Sequence, residues 1–158
     1  GNDMILHSAV HLFHDGEFDH ALRDLFDIRD LVAHFVTRDE GWLELIARAR
    51  ALSLVQPLYY AVRYLQRMLR VDIPDLAVDA LRLCQPGRLA GAVQDAAFRR
   101  GLLPMHDSCE DGLSSTARTV LYVRGHALRM PLRLLAPHLL RKALMRSNLL
   151  PDPAAARK

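Results

Sequence analysis

Apolar residues recur at helical spacing along nearly the whole chain, and short polar or proline-containing breaks divide the stripes into separate segments. Leu6, Val10 and Phe13 define a first helix over residues 4–14, which Asp15-Gly16 ends. Phe18, Leu22, Leu25, Phe26, Val32 and Val36 share one side of a second, over residues 18–36. Its other side carries His20, Arg23, Asp27, Asp30 and His34. Thr37 with Glu40 reads as a capping box for a third helix that buries Trp42, Leu45, Ile46, Ala49 and Leu52. Ser53 and Pro57 mark the entry to a fourth, since proline is tolerated in a first turn. Leu58, Ala61, Val62, Leu65 and Leu69 form its apolar stripe, with Arg63, Arg67 and Arg70 opposite.

Beyond that point the pattern is more broken. Pro74 opens a short helix to about residue 84, ended by Pro86-Gly87. Another covers residues 88–100, where Gly101 is placed to cap it. Residues 102–115 read as a loop. Residues 116–148 are apolar and basic, interrupted at Gly125, Pro131 and Pro137. Within them "TVLYV", residues 119–123, has strand-forming side chains but no partner strand, so it is read as helix. The expectation is an all-α fold: a single irregular domain of six to eight helices over residues 1–150, with residues 151–158 as a frayed tail.

Composition agrees. A chain of 158 residues, about half of them hydrophobic, can bury one core without cross-links. Cys84 and Cys109 form no metal-type pair and fit a reducing, cytoplasmic setting. No apolar run reaches the roughly 18 residues that a bilayer span needs. The opening Gly1-Asn2-Asp3-Met4 leads straight into the first helix, with Gly1 in the manner of an expression scar, and reads as part of a larger protein.

The net charge of +3 hides an acidic front and a basic back. Residues 1–40 carry nine acidic side chains against Arg23, Arg29 and Arg38. Residues 113–151 carry none, but hold Arg118, Arg124, Arg129, Arg133, Arg141, Lys142 and Arg146. Two readings stand. Either the halves face each other across the fold, or Arg129, Arg133, Arg141 and Lys142 face a polyanion or an acidic protein partner. Nothing in the residues specifies a nucleic acid as that partner.

His7, His11 and His14, at i, i+4 and i+7, share one helix face. His7 and His11 could present two imidazoles to one metal ion, with Asp27 or Asp30 adding a carboxylate from the next helix. The protease version of that pattern needs a glutamate after the first histidine, where Ser8 stands. The competing reading makes both histidines hydrogen-bonded, half-buried residues beside the apolar stripe. Arg29 projects into the middle of the apolar face of its helix, among Leu22, Phe26, Ala33 and Val36, so it needs a partner there. Arg29 and His34 also fit the arginine-to-histidine spacing of HEPN-type ribonucleases, in which such a pair performs acid–base cleavage across a dimer. The two residues nonetheless project to different sides of the helix.

Phosphate-cradling glycine loops, nucleophile elbows and Cys-x-x-Cys pairs are missing. So is a Gly-Ser followed by an Asp-x-Asp strand, whose alternating carboxylates hold the metal ions of nucleotidyl transfer.

Residues 5–35, "ILHSAVHLFHDGEFDHALRDLFDIRDLVAHF", and the following "GWLELIARARALSLVQPLYYAVRYLQRML" resemble the helical C-terminal part of the uncharacterised bacterial nucleotidyltransferase family, relatives of the polymerase-beta fold. The resemblance rests on the Ile5-x-His7-x-x-x-His11 helix, the Leu25-x-Asp27-Ile28-x-x-Leu31 helix, the Trp42-led helix and the long helix containing Leu58 and Leu69, about the first seventy residues. It implies a catalytic palm domain upstream that binds Mg2+ and a nucleoside triphosphate, and no catalytic residue in this chain. His7, His11 and Asp27 match the family pattern. With Arg29 and Asp30 they are expected on the surface that meets the palm.

Overall fold

A computed structural model describes residues 1–15 and 18–131, together with 133, 134 and 137. The helical spacing is realised as α1 (Asn2–His14), α2 (Ala21–Phe35), α3 (Asp39–Ala51), α4 (Val55–Leu69), α5 (Asp75–Leu81), a 3-10 turn at Arg82–Cys84, α6 (Arg88–Gly101) and α7 (Ser114–Arg129). The fold is all-α, with seven helices and no strand among the described residues. Thr119 and Val123 lie inside α7, not on a strand. No described helix is long and apolar enough to cross a membrane.

Helix α1 packs against α2, α3, α4 and α7, so its inward side is broad: Ile5, Leu6, Ala9, Leu12 and Phe13 are all buried. Helix α2 buries Ala21, Leu25, Ile28 and Val32. That face keeps Leu25 and Val32 of the expected one but is rotated from it by roughly 60° toward Ile28. Phe26 is therefore exposed and Leu22 half-buried. Apolar residues occupy two adjoining strips of α2, and packing on α1 and α4 selects the strip containing Leu25 and Ile28.

Two junctions differ from expectation. The Thr37–Glu40 capping box does not form: α3 begins at Asp39 behind an extended Arg38, with no side-chain cap. Asp39 and Glu40 in the first turn face the positive end of the helix dipole instead. At the other end Leu52 is exposed rather than buried, and Ser53 adopts a left-handed backbone that closes α3. Pro57 lies in the first turn of α4 as the sequence implies.

Helix α4 is buried on two sides. Leu58, Ala61, Val62 and Leu65 are inside as expected, and so are Tyr59, Tyr60 and Tyr64. Tyr60 and Tyr64 stack on Phe13 at 5.9 and 5.8 Å between ring centroids, and Phe98 from α6 closes the group. Helix α6 reaches α4 through long side chains, including the Tyr60 hydroxyl, which donates to Gln94.

The α6–α7 contact explains Gly101. Gly101 is the last residue of α6 and caps nothing in a left-handed turn; Leu102 follows in helical conformation. A Cβ on Gly101 would stand 2.5 Å from Leu121 Cδ1 of α7, so the missing side chain is what lets the helices close. Gly101→Val is accordingly expected to lower stability by about 1–3 kcal/mol through overpacking, read as a lower midpoint in urea unfolding. An unchanged midpoint would show that Leu121 repacks freely. Gly125, expected to interrupt the last helix, is buried within α7 instead, and α7 ends at Arg129, before Pro131.

Helix α7 is tied back to the start of the chain. Arg124 donates to the Phe13 carbonyl at 2.8 Å, and its guanidinium lies over the Tyr60 and Phe98 rings at 4.9 and 5.4 Å. Arg129 reaches both the side chain and the carbonyl of Asp15. Cations there also meet the negative end of the α1 dipole. Arg118 pairs with Glu110 in the preceding loop. Part of the basic back thus faces the acidic front.

Candidate functional site

The side of α1 turned from the core carries Met4, His7 and His11, all exposed. The His7 and His11 rings stand 6.3 Å apart, tilted by 54°. His11 Nδ1 lies 2.7 Å from Asp15 Oδ2, one turn further on. The sequence reading of these two as half-buried is therefore replaced by an open row on a helix face. His14 differs: its Nε2 is enclosed with no hydrogen-bond partner. Burial, reinforced by the positive charge of Arg124, pushes its pKa down, so the ring is held in its neutral form. Among the described residues no group of three or more His, Cys, Asp or Glu could hold a metal ion.

On α2, Asp27 and Asp30 are exposed. Arg29 is not enclosed in the core, as its projection suggested. Its guanidinium is partly open to solvent, lies 4.6 Å over the Phe26 ring and donates from Nε to the adjacent Asp30 at 2.8 Å. The rotation of the buried strip explains the difference, since it leaves Phe26 outside and Arg29 at the edge of the strip. His34 is exposed and stands edge-on to Phe35 at 4.6 Å. Arg29 and His34 thus each contact an aromatic neighbour on α2.

Of the basic candidates, Arg129 is engaged with Asp15 and Arg133 is exposed. Arg141 and Lys142 lie outside the described residues, as does the tail over residues 151–158. Asp3 at the other end of the acidic segment is held by Arg48 of α3 through two hydrogen bonds of 2.7 and 3.0 Å.

One charged cluster had no signal in the spacing. Asp95 on α6 accepts from Arg63 twice, at 2.9 and 2.6 Å, from Arg67 at 2.7 Å and from the Tyr64 hydroxyl at 3.0 Å. Burial alone would raise its pKa, but the hydrogen bonds from Arg63, Tyr64 and Arg67 outweigh it and hold the carboxyl down to about 2. Burial and the Asp95 charge together push the Tyr64 phenol well above its ordinary range. Two guanidiniums therefore share one carboxylate, and the cluster carries an excess positive charge.

Helices α1 to α4 lie in a stretch of sequence that matches a known family model. Residues 1–70 match the family model described as uncharacterised nucleotidyltransferase. The match runs from the start of α1 to the turn after α4, the same stretch whose histidine, aspartate and tryptophan helices carry the resemblance. Helices α5, α6 and α7 lie outside it. No curated protein and no solved structure matches the chain.

Proposed function

We propose that this chain is the helical supporting part of a nucleotidyltransferase, inactive by itself, and that its catalytic palm domain precedes it in the same polypeptide. The observation that carries the reading is the family match over residues 1–70. The surface of those residues is consistent with it: Met4, His7 and His11 on α1, and Phe26, Arg29 and Asp30 on α2, present a mixed apolar and ionic face to solvent. Such a face suits a domain contact better than a bare exterior, because interfaces within a chain combine apolar anchors with polar rims.

Mg2+ and a nucleoside triphosphate belong to this reading as ligands of the palm. The Gly-Ser and paired-aspartate motif has no counterpart in this sequence, so its residues are assigned positioning and contact rather than a chemical step. His7, His11, Asp27, Arg29 and Asp30 then form the part of the contact contributed by this chain.

The test compares the parent polypeptide with residues 1–158, each incubated with Mg2+ and nucleoside triphosphates labelled on the α-phosphate. Transfer of label by the parent and none by the shorter chain is the expected result. His7→Asp with His11→Asp in the parent should weaken transfer by about tenfold or more, the effect of placing charge in a domain contact. Turnover by residues 1–158 alone, or a parent reading frame without an upstream Gly-Ser and paired-aspartate strand, would overturn the proposal.

A further inference from the structure

Helix α4 presents Tyr59, Val62, Arg63, Gln66 and Arg67 along one side, and this side forms a wall of a cleft of about 200 Å3. Val78 and Leu81 of α5 face it, with Arg82 and Gln85 at its edge. Three of its lining residues are arginines and none is acidic. Arg63 and Arg67 share the single carboxylate of Asp95, which approaches from α6 and is not part of the lining. Arg82 pairs with Asp79 at 3.0 Å, both largely open to solvent. Three cations thus face two carboxylates, and the cleft is electropositive.

The second observation is independent of charge. Tyr59 is only 7% exposed, and its hydroxyl is buried without a hydrogen-bond partner. Burial raises its pKa, so the group remains a neutral donor. A buried donor with nothing to donate to is rare in a native structure and calls for an acceptor. Below it, Val62 and Leu81 give the cleft a buried apolar floor.

We propose that this cleft binds a small organic oxyanion, a phosphate or carboxylate carried on a compact apolar body. The free edges of the Arg67 and Arg82 guanidiniums take the charge, in the planar geometry that suits both anions. The Tyr59 hydroxyl donates to the same ligand, and the apolar body rests on Val62 and Leu81. The cleft is smaller than the roughly 300 Å3 at which sites for drug-sized ligands begin, so a compact ligand suits it. The site stands apart from the nucleotidyltransferase reading, and either can fail alone.

The test is calorimetric titration and thermal shift of the full chain with phenyl phosphate, benzoate, inorganic phosphate and benzyl alcohol. Saturable binding of phenyl phosphate or benzoate is expected, and the tighter of the two identifies the oxyanion. Inorganic phosphate should bind at least about fivefold more weakly for want of an apolar body, and benzyl alcohol for want of charge. Tyr59→Phe and Arg82→Ala should each weaken binding by about fivefold to tenfold, the loss of one charge-assisted hydrogen bond. Both variants should keep the unliganded thermal midpoint, because the Tyr59 hydroxyl has no partner and Arg82 is exposed. No binding by any of the anions, inorganic phosphate binding as tightly as phenyl phosphate, or unchanged affinity in both folded variants would overturn the proposal.

Discussion

Phe98→Ala is expected to remove about 3–5 kcal/mol of stability, the range for deleting a fully enclosed aromatic ring. The phenyl ring is 0% exposed and lies within 5.2–6.0 Å, centroid to centroid, of Phe13, Phe18, Tyr60 and Tyr64. Its removal opens a cavity bordered by four other rings, none of which can collapse without leaving its own neighbours. The Arg124 guanidinium, 5.4 Å from the Phe98 centroid, would lose one of its two aromatic faces as well. For a domain of this size each kcal/mol corresponds to roughly 2–4 °C, so the thermal midpoint should fall by roughly 6–20 °C. Circular dichroism during heating reads the change directly. A fall below about 2 °C would mean that α6 does not seat its ring in the core as described.

Asp95→Ala should cost about 2–4 kcal/mol at neutral pH, because it leaves the half-buried Arg63 without its bidentate partner and strips Arg67 and Tyr64 of an acceptor. The same carboxylate predicts an acid limb. Its pKa is lowered from 3.8 to about 2 in the folded chain. A depressed carboxyl stabilises the fold above its unfolded pKa, and that contribution disappears as pH falls through the folded value. The window therefore runs from about pH 4 down to about pH 2, and its full size is about 2 kcal/mol. Urea unfolding at neutral pH and across that window should show the native chain approaching the variant as acid is added. A constant gap between the two at every pH would rule out the ionic contacts as its source.

The first four helices were readable because each places apolar residues at helical spacing between clear breaks. What the spacing misplaced on α2 was rotation. Leu22, Phe26 and Ala33 form a second apolar strip beside Leu25, Ile28 and Val32, and only contact with α1 and α4 decides which one is covered. The error carried Arg29 into the interior on paper, although it lies over exposed Phe26. On α4 the apolar stripe read from spacing did not include Tyr59, Tyr60 and Tyr64. They are core because α1 and α6 cover the helix from different directions.

Asp95 was invisible for another reason. It is one acid on a helix carrying Arg88, Arg99 and Arg100, and its partners stand 28–32 residues earlier. No local pattern encodes a contact at that separation. The histidine row was found, since i, i+4 neighbours are fixed by helix geometry, but its exposure depended on tertiary packing. Gly101 was singled out correctly as a special position for the wrong reason: proximity to Leu121, not backbone conformation, requires it.

The aromatic cluster straddles the end of the family match. Phe13, Tyr60 and Tyr64 fall inside residues 1–70, whereas Phe98 and Arg124 fall beyond it. The matched segment and the aromatic cluster therefore have different borders on this chain. A cut after residue 70 would follow the matched segment and still split the interior, uncovering three large rings. The later helices complete the interior: the matched segment closes its aromatic cluster with a ring from α6 and a guanidinium from α7.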